Sequence, residues 1–163
     1  MRLTNIRDVV QVTYQVLAAT TLILAAVIGY HQLQANESIR RAQAVGSLIE
    51  LWDSAEQRQA RRIVNSMDFS KLTTLSDLPS EQRSQVDAWL NTSNHIAYQA
   101  LTGIVPVADV AQLFGPGMVG TWDRVAPLVQ VNRARGDTRF LGFLETFVTK
   151  YRGVIPPQRP LRD

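Results

Sequence analysis

His31 and His95 are the two histidines of this 163-residue chain. Neither carries an Asp or Glu three or four residues further on, the spacing that would make a metal pair or a proton relay. Cysteine is absent, which removes disulfides, thiolate metal sites and thiol nucleophiles together. No G-x-S-x-G, H-E-x-x-H, Walker or glycine-rich phosphate loop occurs. "GPGMVG", Gly115 to Gly120, follows no strand-like segment and so reads as a turn between helices rather than a dinucleotide loop. His31 stands just past an apolar run, at the depth of a membrane interface. Val27 fills the place one turn earlier where an antenna-type tetrapyrrole site has a small residue, so His31 reads as an interface residue and not a ligand. His95 is expected to be satisfied structurally by Asn91, Ser93, Asn94 and Tyr98. The chemistry-bearing residues therefore point to a non-enzymatic protein with no metal, no cofactor and no small-molecule ligand.

Charge offers one further candidate. Arg58, Arg61 and Arg62 lie within a turn and a half of a helix, near Arg40 and Arg41 in sequence. They read by default as a solvated helix face; the sharper reading is a basic patch for anionic headgroups or an acidic partner. The sequence pI is about 9.7, but the net charge is only +3, from fifteen scattered Arg and two Lys against fourteen acids. A nucleic-acid interface requires a concentrated basic face, and none is present in the pattern.

The elements that must carry these residues begin with an apolar segment. Between Asp8 and Glu37 there is no Asp, Glu, Lys or Arg. Val9 to Tyr30 is 22 residues, about 33 Å of helix at roughly 1.5 Å per residue, enough to cross a hydrocarbon core. A signal peptide would have a shorter apolar core and a non-helical start after it. Here the chain stays helix-compatible past Tyr30, so an uncleaved anchor is expected, with residues 1–8 as a short tail and 9–35 as the membrane helix and the start of a stalk. Gln11, Gln15, Ala18, Ala25 and Gly29 fall on one stripe of this helix, although Leu22 interrupts it. Small residues let a second membrane helix approach and amides in lipid seek a partner, so the stripe is a candidate contact; the alternative is ordinary membrane-helix composition. Arg2 and Arg7 at one end balance Arg40 and Arg41 at the other, which leaves orientation undecided by charge.

The remainder, residues 36–152, predicts an all-α domain. Ala42, Val45, Leu48, Ile49 and Trp52 carry a helical stripe onward from the anchor. Asp53 with Glu56 resembles a capping box that restarts a helix. Residues 68–79 read as a loop, a helix starts near Ser80, Gly103 ends it, and Pro106 opens a short helix bearing Val107, Val110, Leu113 and Phe114. Gly115–Gly117 is the strongest turn signal. Met118 to Val129 form the next helix, which Pro127 is expected to kink or shorten. Phe140, Leu141, Leu144, Phe147, Val148 and Tyr151 give the clearest amphipathic pattern. Residues 153–163 read as a frayed, proline-rich basic tail without core residues, with a docking arm as the alternative.

Taken in order, the membrane helix, "YHQLQANESIRRAQA", "LWDSAEQRQARRIV", "GIVPVADVAQLFG", "MVGTWDRVAPLVQVNRA" and "FLETFVTKYR" resemble the bacterial DUF4760 family of uncharacterised, membrane-anchored helical proteins. The resemblance covers most of the chain through hydrophobic and tryptophan patterns, and it transfers no functional residues. It implies a bacterial inner-membrane, single-pass protein with a cytoplasmic domain, because relatives place basic residues after the membrane helix. This chain has Gln32, Leu33 and Gln34 there instead. The expected function is a scaffold or accessory subunit contacting other integral membrane proteins and the bilayer, for instance in a respiratory or photosynthetic complex. The alternative is a tethered sensor that recruits a soluble partner.

Overall fold

Residues 6–136 and 139–155 are described by a computed structural model, and all regular structure among them is helical. The elements are α1 (Ile6–Trp52), α2 (Ala55–Ser66), α3 (Ser80–Leu101), α4 (Val107–Leu113), α5 (Gly115–Ala134) and α6 (Gly142–Tyr151). Two short 3-10 turns, Phe69–Lys71 and Leu75–Asp77, lie between α2 and α3. The chain divides into two units, Met1–Arg40 and Arg41–Asp163. Of the expected N-terminal tail, residues 1–5 lie outside the described residues, and α1 begins at Ile6 rather than Val9.

In the first unit α1 is apolar and uncovered. No side chain in its most hydrophobic window is buried, and the helix is long and apolar enough to cross a membrane. Its threonines do not leave hydroxyls unpaired. Thr13, Thr20 and Thr21 donate to the carbonyls of Val9, Val16 and Leu17 at 2.8, 2.8 and 2.9 Å. Back-bonding of this kind lets a hydroxyl sit in an apolar medium without a protein partner.

The second unit starts with the last turns of α1, which bury Leu48 and Trp52. α1 ends where Asp53 N–H still bonds to the Ile49 carbonyl, so Asp53 belongs to the outgoing helix. The cap of α2 is Ser54, whose hydroxyl accepts from Gln57 N–H at 3.2 Å; the expected Asp53–Glu56 box is not formed. α3 is central, packing against α2, α4 and α6, while α5 packs on α2, α4, α6 and the first 3-10 turn. The core gathers Trp89, Phe69, Phe147, Leu90, Ile96, Met118, Leu128 and Leu144, all essentially without exposure. Burial of each such side chain contributes about 1.5–3 kcal/mol before entropy is counted.

Local signals explain most element boundaries. α3 ends at Leu101, and Gly103 follows with φ +77°, the left-handed stop that glycine adopts without strain. Phe114 closes α4, and α5 begins at the next residue, so "GPG" is a first helical turn and not a loop. Pro116 fits there because the first-turn N–H groups have no intrahelical acceptor. Gly117 is required by packing, since a Cβ would lie 2.7 Å from Trp52 Cζ2. Pro127 sits inside α5 on an exposed position, and the helix continues to Ala134 without the expected shortening.

Two corrections concern the loop and the tail. The 68–79 segment is held by its own carboxylates and by Phe69, which is buried at 1% exposure. Asp77 accepts from Thr73 N–H, Thr73 hydroxyl and Thr74 N–H at 2.9, 2.8 and 2.9 Å. Ile155, expected in a coreless tail, instead packs on the core over Gly115. Residues 156–163 lie outside the described residues.

Candidate functional site

The anchor stripe is built by helical periodicity alone. Gln11, Gln15, Ala18 and Ala25 are exposed and Gly29 is half-exposed. A Cβ added at Gly29 would meet nothing within 4 Å, so the position is open to a neighbour. Just beyond, Gln34 Nε2 donates to the Tyr30 hydroxyl at 2.7 Å. His31 is exposed beside Tyr30, with ring centroids 6.1 Å apart.

The arginine trio is divided by the fold. Arg58 and Arg62 are exposed on α2, whereas Arg61 is half-buried. Its guanidinium lies 5.8 Å from the Trp52 ring centroid and 5.6 Å from that of Trp89. Those indoles are 4.4 Å apart, and Phe114 lies 5.3 Å from Trp52 on another side. The cation therefore covers an aromatic cluster, an interaction of about 0.5–2 kcal/mol. Trp89 Nε1 donates to the buried Thr121 hydroxyl at 2.9 Å, so neither polar atom is left without a partner.

His95 is exposed and does not bond the residues expected around it. It pairs with Gln99 one turn on, Nε2 to Nε2 at 2.7 Å, which requires the Nδ1–H tautomer to accept from the amide. Asn94 turns away from the imidazole and bonds α6, its Oδ1 accepting from Phe143 N–H and Leu144 N–H at 3.1 and 3.0 Å. The first turn of α6 has no cap of its own, and its preceding residue Leu141 has φ +53°, so α3 supplies the cap. Ser93, also on α3, is fully buried, and among the described residues its hydroxyl has no hydrogen-bond partner. Tyr98, 38% exposed, meets Phe143 edge-on at 5.0 Å.

Ion pairs fasten α5 to α6 and to the residue that follows it. Arg152 grips Asp123 through both terminal guanidinium nitrogens, and this hydrogen bonding raises the Arg152 pKa. Arg133 pairs with Glu145 at 2.6 Å and donates to the Phe140 carbonyl at 3.0 Å. Asp68 and Asp77 are held below the usual carboxylate range by the hydroxyls of Ser70 and Thr73 respectively. Burial pushes Asp87 up, against the opposing pull of Arg83. Among the described residues no three His, Asp or Glu side chains are grouped to hold a metal ion.

One surface escapes a reading of the sequence. The last turns of α1 and α4 enclose an open groove of about 550 Å³. Ile49 and Leu113, both apolar positions of the expected helices, line it 39% and 48% exposed. The available signal is an excess of apolar positions on these two helices over what one neighbour can cover. No protein-family model, curated protein or solved structure matches the chain.

Proposed function

We propose that the chain is a non-catalytic, membrane-anchored interaction protein, a scaffold or accessory subunit of a bacterial inner-membrane assembly. The observation that carries this reading is the uncharged, uncovered apolar length of α1. Apolar surface left in water is unfavourable by about 25 cal/mol per Å², so a segment of this length calls for lipid or protein around it. The resemblance to the DUF4760 family supports the same placement, with the domain on the cytoplasmic side. Within the bilayer the stripe of Gln11, Gln15, Ala18, Ala25 and Gly29 meets a helix of another integral membrane protein.

Mild-detergent extraction followed by native gels and mass spectrometry tests this. The expected result is co-purification with a membrane protein at fixed stoichiometry, lost in an Ala25→Leu/Gly29→Leu variant. Recovery of the parent without a stoichiometric membrane partner, or an unchanged assembly in the variant, refutes it.

A further inference from the structure

The uncharged stretch of α1 is longer than a membrane requires. Residues 9–36 are 28 residues without Asp, Glu, Lys or Arg, about 42 Å of helix at about 1.5 Å per residue, against about 30 Å of hydrocarbon. The flanking charges at Asp8 and Glu37 therefore leave the helix about 12 Å, or about eight residues, in which to slide along the bilayer normal. The threonines do not fix its depth, because Thr13, Thr20 and Thr21 are each bonded to their own helix backbone and tolerate hydrocarbon. At the outgoing end the side chains differ. Tyr30 is 60% exposed, and its hydroxyl accepts from Gln34 Nε2 at 2.7 Å. The Cα–Cβ bond of Gln34 tilts back along the helix towards Tyr30, which brings the amide onto the hydroxyl. Together they present an apolar ring and a polar end whose hydroxyl is already satisfied. His31 and Gln32 beside them are also exposed. Amphipathic rings of this kind settle at the level of the lipid headgroups.

We infer that the Tyr30–Gln34 pair binds the headgroup boundary of the bilayer and sets the depth of α1. Hydrocarbon ends at Tyr30, and Gln34 lies among the headgroups. This rests on the membrane-anchored reading and adds to it which residues meet the bilayer surface. Counting back about 20 residues for the hydrocarbon places the other boundary at Gln11, whose amide then reaches water. Tyr14, 74% exposed and one turn inside Gln11, is the aromatic counterpart at that end. A deeper register takes Gln32 and Gln34 into hydrocarbon, where an amide short of polar partners is strongly disfavoured. A shallower one moves the Tyr30 ring out into water.

Single cysteines read the depth, since the chain has none of its own. N-ethylmaleimide crosses bilayers but reacts with a thiolate, which forms in water and not in hydrocarbon. The sample is the purified full chain in dioleoylphosphatidylcholine vesicles, and the readout is intact mass against time. Leu22→Cys and Val27→Cys should react about tenfold or more slower than Gln59→Cys on the exposed face of α2. Leu33→Cys should react at a rate close to that of Gln59→Cys. In a Tyr30→Leu/Gln34→Leu background the apolar segment loses its stop and the boundary moves outward, so Leu33→Cys should slow about tenfold or more. Circular dichroism confirms that each variant is folded. A Leu33→Cys thiol as protected as that of Val27→Cys in the parent background overturns the proposal, as does a Leu33→Cys rate that the double replacement leaves unchanged. A Leu22→Cys thiol as reactive as that of Gln59→Cys overturns the anchor and the boundary with it, whereas a protected Leu22→Cys confines any failure to the boundary.

Discussion

Replacing Gly117 by alanine adds one methyl group to the first turns of α5, where two effects oppose. Alanine favours helix over glycine by about 1 kcal/mol in an interior position. Against this, the new Cβ would stand 2.7 Å from Trp52 Cζ2 and 3.4 Å from Cη2. The indole has little room to retreat, with the Trp89 ring centroid at 4.4 Å and that of Phe114 at 5.3 Å. Overpacking of a tight core costs about 1–3 kcal/mol, so the net effect should be a destabilisation of up to about 2 kcal/mol. For a domain of this size that is a fall in Tm of up to about 8 °C. Gly46→Ala is the control, since nothing lies within 4 Å of its Cβ, and it should leave Tm unchanged or raise it. Thermal unfolding of the full chain in mild detergent, followed by near-ultraviolet circular dichroism of the tryptophans, measures both. A Gly117→Ala variant at least as stable as the parent would refute the packing argument.

Other substitutions test other joints. Asn94→Ala should destabilise by about 1–2 kcal/mol, because two N–H groups of α6 lose their acceptor, and Asn94→Asp should recover most of it. Ser93→Ala should be neutral or stabilising in chemical denaturation, since its buried hydroxyl has no partner to lose. The Asp77 pKa is depressed in the folded state, so its stabilisation is present above about pH 4 and lost as pH falls through the folded value. The Tm difference between the parent and Asp77→Ala should therefore be positive at pH 7 and shrink towards zero in acid. A difference that grew in acid would contradict the assigned role.

Helix positions are legible in the sequence because their punctuation is local. Gly103 and Pro106 each act through their own backbone preferences, and the structure places boundaries beside them. What depends on distant partners is not legible. Gly117 reads as a turn residue until Trp52 is seen against it, and Phe69 is one aromatic in a polar stretch until α5 covers it. Asp53 loses its capping role to Ser54 through a shift of one residue in where α1 ends. Arg61, read by default as part of a solvated helix face, is half-buried because two tryptophans far apart in sequence meet beneath it. Periodicity also reports an apolar face without reporting whether anything covers it. Ile49 and Leu113 continue the apolar helical pattern, yet the structure has them lining an open groove.

The proposed function depends first on α1 remaining in the chain and in the bilayer. The most direct measurement is alkaline carbonate extraction of membranes from cells producing the chain, with the intact mass of the product determined in pellet and supernatant. The expected result is a chain of uncleaved mass that stays in the pellet. A chain released to the supernatant, or one shortened by removal of the Val9–Tyr30 segment, would contradict the anchor.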